Sequence, residues 1–447
     1  MDVGEGSSQG AAQDAREDTI QAGNTLLLKV PSGDIRTLKL EKDSTVNLGK
    51  FGTFYSNELI GRSYGSTYEI VEKRLKVIPP RPMQEVGDTD ATNELINDGE
   101  YVQPLTVEEI EVLKRSGLHA SVSVLALFKS IPNLYTVSGN YQKQIEQHAN
   151  YSLKTEYSKE KYKKRKEAKY SKSFTVIEPT LFNVCEYWFN KDQNRLRDIR
   201  PDALSQMLNL ANIRPGGRYL AVDEASGVVV AGVLERLGGS GRLITICDID
   251  SPPAYPVMTQ MNFKKEVIAS TLSSLNWATA DEDTTHRVRL IPPIQRKTDI
   301  FPVLAPSDPP SGKFKSDGQR SRLSKRKAAS DALLQTREEL FAGEFDGLII
   351  ATEYDPYSIL EKLTPYLGGS ASIVVHGPNV QVVTELQCRV RDLPQYLGPT
   401  VTEMWLRCYQ VLPGRTHPMM NASGSGGFIF HAIKVYAGCS LSSVKFY

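Results

Sequence analysis

The chain has 447 residues, with 53 Lys or Arg against 52 Asp or Glu and a formal net charge of +1. That balance excludes a protein coated in positive charge, but not a nucleic-acid binder whose opposite charges are segregated along the chain. Apolar residues at 40% and charged residues at 23% suit a globular protein with a core, the length suggests two or three domains, and no apolar run approaches the ~18 residues of a membrane span.

Residues 1–22 carry Gly, Ser, Gln, Asp and Glu without an apolar core. They read as a disordered tail and not as a signal peptide. Residues 23–100 read as a small N-terminal β-barrel domain. TLLLKV and DIRTLKL are strand-type runs split by the turn Pro31-Ser32-Gly33-Asp34, and STVNLGKFGTFY and STYEIVEKRLKVI continue the pattern, punctuated by Gly49, Gly52, Gly61 and Gly65. Residues 101–200 read as a helical, basic connector. LTVEEIEVLKRSG has Thr106 as N-cap, Glu109 three residues on, and Gly117 at the C-terminal position. The segment 154–172, KTEYSKEKYKKRKEAKYSK, holds nine Lys or Arg against three Glu.

Residues 201–447 change to strand–helix–strand alternation, which predicts an α/β fold with a parallel sheet covered on both faces. RYLAV (218–222), RLITIC (242–247), FDGLIIA (345–351) and ASIVV (371–375) are the strands. GVVVAGVLERLGG, residues 257–277 and residues 356–366 are the helices. An insertion at about 280–335, rich in Pro, Ser, Lys, Arg and Asp, is expected to be disordered. Its basic run Arg320–Lys327 suits RNA contact, a nuclear import signal or a plain solvated linker.

Five scattered cysteines with no Cys-x-x-Cys pair argue for a reducing compartment without disulfides or zinc. The six histidines show no metal-ligand spacing. His376 follows a strand end, where α/β folds bind ligands, and without an accompanying acid or second His it reads as structural or surface. There is no Gly-x-Ser-x-Gly elbow, Walker loop or Cys–His pair.

The first strand of the α/β region runs into Asp223-Glu224-Ala225-Ser226-Gly227-Val228-Val229. A Rossmann-type methyltransferase needs a glycine-rich turn here, so that the backbone can approach S-adenosylmethionine without Cβ clashes. If Asp223 opens an acidic-x-Gly-x-Gly-x-Gly pattern, the three glycine positions hold Ala225, Gly227 and Val229, and one glycine survives. The acid expected after the second strand falls at Cys247, with Asp248 or Asp250 as substitutes only after a register shift. At the fourth strand, where N-methyltransferases acting on bases commonly carry a polar-Pro element, this chain has Ala351-Thr352-Glu353. The architecture is that of a Rossmann-like methyltransferase and the cofactor site is degenerate, so no cofactor and no catalytic residue are expected.

LTVEEIEVLKRSG, KTEYSKEKYKKRKEAKY, RPDALSQMLNLANIRPGGRYLAVDEASGVVVAGVLERLGG, FDGLIIATEYDP and WLRCYQVLPGRTHPMMNASGSGGFIF together resemble the non-catalytic subunit of the eukaryotic tRNA (adenine-58-N1)-methyltransferase. Outside the insertion the resemblance spans about residues 100–445. It implies a catalytic paralogue that binds S-adenosylmethionine, a heterotetramer of two subunits of each kind, location in the nucleus, and a role for this chain in tRNA binding.

Physical chemistry nominates Lys154, Lys159, Lys161, Lys163, Lys164, Arg165 and Lys166 as RNA contacts, since such a run neutralises phosphates and releases counterions; the resemblance implies that the RNA is tRNA. Tyr157, Tyr162 and Tyr170, interleaved with them, can stack on exposed bases. The alternative is a solvated charged helix. Arg415, in the long loop Pro413–Asn421 between two expected strands, suits a phosphate, the partner's cleft or the subunit interface. A divergent S-adenosylmethionine-dependent RNA methyltransferase active on its own is the chief rival reading. An RNA-associated interaction protein without any modification role is a third.

Overall fold

The computed structural model describes residues 19–79, 171–249, 253–281, 317–412, 415–421 and 423–435. The described residues fall into two compact units, the first up to Asn183 with 407–421 and the second from Val184 to Leu406 with those from Ser423 onward.

The first unit contains β1 (Thr25–Lys29), β2 (Ile35–Lys39), β3 (Thr45–Asn47), β4 (Thr53–Tyr55), β5 (Thr67–Val71), β6 (Arg74–Ile78) and β7 (Ser173–Ile177). Five of these make one antiparallel sheet in the order β2-β1-β7-β5-β6, and β3 pairs with β4 in a separate ribbon. This corrects the expected barrel: the edge strands β2 and β6 do not pair, so the sheet stays open. Gly49, Gly52, Gly61 and Gly65 all have left-handed φ and turn the chain away from the sheet between its short strands. The core gathers Leu26, Leu28, Phe51, Phe54, Tyr68, Phe174 and Val176, with Phe54 stacked on Phe174 at 5.0 Å.

The middle strand of that sheet, β7, lies inside what the sequence presents as a helical connector. Its pairing with β5 joins residues more than a hundred positions apart, and Thr67 and Thr175 share a hydroxyl hydrogen bond of 2.8 Å. The expected helical character appears in α1 (Leu181–Lys191), which follows.

The second unit continues with α2 (Pro201–Leu210), β8 (Arg218–Asp223), α3 (Val228–Leu237), β9 (Arg242–Cys247), α4 (Pro256–Gln260), α5 (Lys265–Thr271) and β10 (Leu272–Asn276). Then come α6 (Asp317–Ala342), β11 (Phe345–Ala351), α7 (Pro356–Leu363), β12 (Leu367–Gly377), α8 (Val380–Val390) and β13 (Tyr396–Glu403). The hairpin β14 (Tyr409–Leu412) and β15 (Arg415–Pro418) belongs to the first unit, and β16 (Phe428–Lys434) completes the second.

Seven strands form a mixed sheet in the order β10-β9-β8-β11-β12-β16-β13. The first five are parallel, and β16 runs antiparallel to both its neighbours. The chain enters at β8, winds outward through β9 and β10, then returns to β11 and winds the other way. The strand order therefore reverses between β8 and β11, and the crevice beyond the carboxyl ends of those strands is where such folds place ligands. Both faces of β8 are buried: Leu220 and Val222 share a cluster with Leu340, Ile359, Leu360, Val383 and Leu386 of α6, α7 and α8, and the alternate residues Tyr219 and Ala221 are equally inaccessible.

Two expectations are corrected here. Residues 257–277 are two short helices and a strand, because Leu272–Asn276 pairs in register with Leu243–Cys247. Residues 317–335, expected to be disordered, are helical. Their exposed basic part is carried by a well-anchored end, where Leu340 is fully buried and Glu339 accepts from Arg242 at 2.8 Å.

Candidate functional site

The loop after β8 is organised around Asp223. Its buried carboxylate accepts backbone hydrogen bonds from Ala225 at 2.8 Å, Gly227 at 3.3 Å and Val230 at 2.9 Å. These N–H groups at the start of α3 are the ones a Rossmann-type loop offers to a ligand, and here the chain's own aspartate takes them. Burial outweighs the amide donors and pushes the Asp223 carboxyl up to about 6.

The four predicted loop residues do come together. Ala225 and Val229 are fully buried, so their side chains are packed into the unit and do not line an approach for a cofactor. Gly227 has φ of 81° and caps α3. Its lack of a side chain serves Tyr255, whose Cβ would lie 2.5 Å from a Cβ at position 227. Tyr255 immediately precedes α4, is 4% exposed, and has a left-handed φ of 42°. Its hydroxyl bonds the side chains of Thr245 and Ser274 on β9 and β10, and burial raises the phenol's affinity for its proton. The ring thus runs from the loop to the neighbouring strands and narrows the space beside Asp223.

At the end of β9, Cys247 offers a thiol that donates to the Leu275 carbonyl at 3.4 Å, where a ribose would need a carboxylate. Asp248 follows and accepts from the Tyr354 hydroxyl at 3.0 Å. The space left beside Asp223, Cys247, Asp248 and Tyr255 is about 240 Å³, below the roughly 300–1,000 Å³ of ligand pockets. S-adenosylmethionine does not fit these residues: the loop amides are taken by Asp223, the remaining space is small, and Cys247 stands where the ribose carboxylate is expected.

Beyond β11 the crevice opens again into a cavity of about 460 Å³. Glu224 stands between the two spaces. Its carboxylate accepts from the Thr352 hydroxyl at 2.6 Å and the Glu353 backbone at 3.0 Å, and pairs with Arg197 at 3.6 Å. Arg197 also pairs with Glu353. Glu224 and Asp248 line the smaller space, whereas Arg197, Thr352, Glu353 and Tyr354 line the larger. Each of the bonds made by Glu224 or Asp248 therefore crosses the boundary, and together they partition the crevice. Methyl transfer needs its reacting atoms about 3–3.5 Å apart in one continuous site.

His376, at the end of β12, is 2% exposed and lines the larger cavity. Its Nε2 lies 3.0 Å from the Gly426 carbonyl oxygen. Arg200 holds that segment in place by donating to the Ser423 carbonyl at 3.1 Å. A Cβ at Gly427 would sit 2.2 Å from the same Nε2.

Sequence reasoning found the degraded loop and missed its occupants. Arg197, Glu224, Tyr255 and Tyr354 carry no motif; their roles exist only once the strand order brings them together. Arg197 and Asp198 both have left-handed φ without being glycine, which no residue type signals. Lys154, Lys159, Lys161, Lys163, Lys164, Arg165 and Lys166 lie outside the described residues. Arg415 opens β15, so the expected loop is in part a hairpin, while the Arg415 side chain also lies outside the described set. Among the described residues no group of three or more His, Cys, Asp or Glu is placed to hold a metal ion, and no helix is long and apolar enough to cross a membrane.

The sequence model of the Gcd10p family matches residues 19–299. The chain is 27% identical over 433 residues to the protein named tRNA (adenine(58)-N(1))-methyltransferase non-catalytic subunit TRM6 of Debaryomyces hansenii, covering 92% of this chain and 85% of that protein. It is 28% identical over 456 residues to the protein of the same name in Schizosaccharomyces pombe, covering 93% and 92%. Among solved structures, the tRNA (m1A58) methyltransferase TrmI of Aquifex aeolicus is similar, with a TM-score of 0.45 and 13% identity, covering 94% of this chain and 99% of that one.

Proposed function

This chain belongs to the Gcd10p family, and from that premise we propose that it is the non-catalytic subunit of a tRNA N1-methyladenosine-58 methyltransferase. The observation that carries the reading is the partitioned crevice: a methyltransferase-type sheet whose cofactor side is narrowed by Tyr255 and closed off by the Glu224–Arg197–Glu353 and Asp248–Tyr354 contacts. The chain then contributes binding surface, and a paralogue supplies S-adenosylmethionine and the methyl transfer.

The hairpin β14–β15 supplies a surface for that paralogue. Tyr409 and Val411 alternate on one face of β14 and are 53% and 63% exposed, and Met419 and Met420 follow at 47% and 77%. Apolar side chains gathered in one exposed place mark an interface. The basic segment 154–172 suits the tRNA backbone. Two copies of each subunit, and location in the nucleus, complete the proposal; the exposed Lys325 and Lys327 keep the basic run of α6 accessible to an import receptor.

Reconstitution tests it. The chain alone and the paralogue alone should leave tRNA unmethylated, and the co-expressed pair should form N1-methyladenosine at position 58. Calorimetric binding of S-adenosylmethionine to the purified chain in the low micromolar range would overturn the reading in favour of an independent methyltransferase. Reversing Lys163, Lys164, Arg165 and Lys166 to Glu should weaken tRNA binding and flatten its salt dependence.

A further inference from the structure

Between β13 and β16 the chain leaves the seven-stranded sheet and comes back. Residues 407–421 belong to the first unit, and the ends of the excursion, Met404 and Ser423, belong to the second. One side chain of the second unit holds both ends. Arg200, the residue before α2, is 4% exposed and donates to the Met404 carbonyl at 3.1 Å and to the Ser423 carbonyl at 3.1 Å. Asp202 keeps the guanidinium plane in place, accepting from Nε at 2.6 Å and from Nη2 at 2.8 Å.

The return is fastened further. Gly426 is buried against Arg200, and a Cβ there would lie 3.0 Å from the arginine's own Cβ. Its carbonyl oxygen meets His376 Nε2 at 3.0 Å, and the Gly427 amide donates to the Ser425 hydroxyl at 3.1 Å. That hydroxyl donates in turn to the Glu403 carboxylate at 3.4 Å, at the end of β13. Beyond the clamp the character changes: Trp405 and Leu406, directly after Met404, are 76% and 39% exposed. A buried ion pair adds little net stability, because desolvation cancels most of its attraction. Its better use is to select one arrangement, and the arrangement selected here is where the excursion starts and ends.

We propose that Arg200 is a positioning residue for subunit assembly: by tying Met404 to Ser423 it fixes the root of the excursion, so that Trp405 and Leu406 enter an apolar pocket of the catalytic paralogue without first having to be ordered. Tryptophan is among the residues that most often anchor an interface, seated in a desolvated pocket of the partner. Side chains held ready lose less freedom on docking, and affinity rises by that difference. Trp405 and Leu406 directly precede the hairpin proposed above for the paralogue, and continuity assigns them to the same partner. The inference rests on the subunit reading above and deepens it, naming the residue through which the interface is prepared.

The test uses the co-expressed complex of the full chain with its catalytic paralogue, diluted and followed by sedimentation. Arg200→Lys keeps the charge but not the planar fork that serves two carbonyls and a carboxylate. Asp202→Asn keeps the arginine and removes the charge that orients it, and it carries the test if Arg200→Lys does not fold. Each should raise the dissociation constant about tenfold, the scale of ordering one or two side chains on docking. In hydrogen exchange the amides of 404–406 and 423–427 should open faster, while β8 and β11 keep their protection. Trp405→Ala should also weaken assembly, and combined with Arg200→Lys it should lose less than the product of the two factors, since both act through one root. Unchanged dissociation in both Arg200→Lys and Asp202→Asn, or losses that simply multiply with that of Trp405→Ala, overturns the positioning role. Faster exchange spread evenly over β8 and β11 makes Arg200 a plain stabiliser and overturns it too. An unchanged complex with Trp405→Ala removes this surface from the interface, which overturns the inference and leaves the subunit reading standing. Self-association lost in Trp405→Ala with the mixed complex intact assigns the surface to a second copy and has the same consequence. A wild-type chain that forms no complex with the paralogue defeats the subunit reading itself.

Discussion

The two halves of one crevice have been treated in opposite ways. On the β8–β9 side the protein has narrowed the space with its own groups: Asp223 on the loop amides, Tyr255 against Gly227, and a cysteine at the end of the second strand. On the β11–β12 side a larger cavity stays open, with buried polar atoms left without partners. The backbone topology that would serve both halves is intact. What each half can hold is therefore set by its side chains, and the fold by itself does not tell.

The sharpest way to break the comparison is at Gly227. A valine there would need a left-handed φ that β-branched residues resist, and its Cβ would collide with Tyr255. Gly227→Val should destabilise the second unit by about 4 kcal/mol, combining strain and overpacking, as read by urea unfolding. In a functioning cofactor loop a glycine is kept for the ligand; here it is kept for stability, so the loss should be the same with or without S-adenosylmethionine.

That dual meaning explains how much could be read from the sequence. The strands β8, β9, β11 and β12 are near-continuous apolar runs and announce themselves, as does the count of surviving glycines. Gly227 looks like a remnant in the sequence because Tyr255 is 28 positions away and nothing in its neighbours, Ala254 and Pro256, marks it as a filler. Strand β7 was hidden for a related reason: SFTVI follows a lysine-rich segment, and its partners β1 and β5 are more than a hundred residues earlier. Strand β10 was absorbed into an apparent helix because Leu272–Asn276 is a half-buried edge with weak alternation. The helical course of residues 317–335 escaped because its anchors, Glu339 and Leu340, lie beyond the low-apolar stretch.

Tyr255→Ala asks the next question, whether widening the narrowed half restores it. Removing a buried aromatic of this size should cost about 3 kcal/mol. It should also relieve the clash at position 227, so the double variant Gly227→Val, Tyr255→Ala should lose less than the sum of the two single losses. S-adenosylmethionine should still fail to bind, because the loop amides and the Cys247 position are unchanged. Calorimetric binding to Tyr255→Ala would show that the tyrosine alone keeps the cofactor out.

Titration separates the halves in another way. Burial raises Asp223 from its ordinary 3.8 to about 6 in the folded chain. A raised folded value means that the group's favourable contribution is complete below the ordinary value and is lost as the pH rises through about 6. The stability advantage of wild type over Asp223→Asn should therefore shrink by about 2–3 kcal/mol between pH 4 and pH 7, measured as midpoint differences at fixed ionic strength. A difference that grew with pH would mean that the amide donors, and not desolvation, dominate the loop.

The smallest expected effect is at the wall between the halves. Arg197→Ala removes the cation that pairs with Glu224 and the exposed Glu353, and should cost about 1–2 kcal/mol, between an exposed pair and a hydrogen bond to a charged group. Glu224 keeps its bonds from Thr352 and the Glu353 backbone, and Tyr354 keeps Asp248, so the partition should thin without opening. Arg197→Lys keeps a cation beside Glu224 and Glu353 but not the planar fork that reaches both, so it should recover only part of that loss. A full rescue by lysine would mean that charge alone, and not the geometry of the fork, holds the wall between the halves.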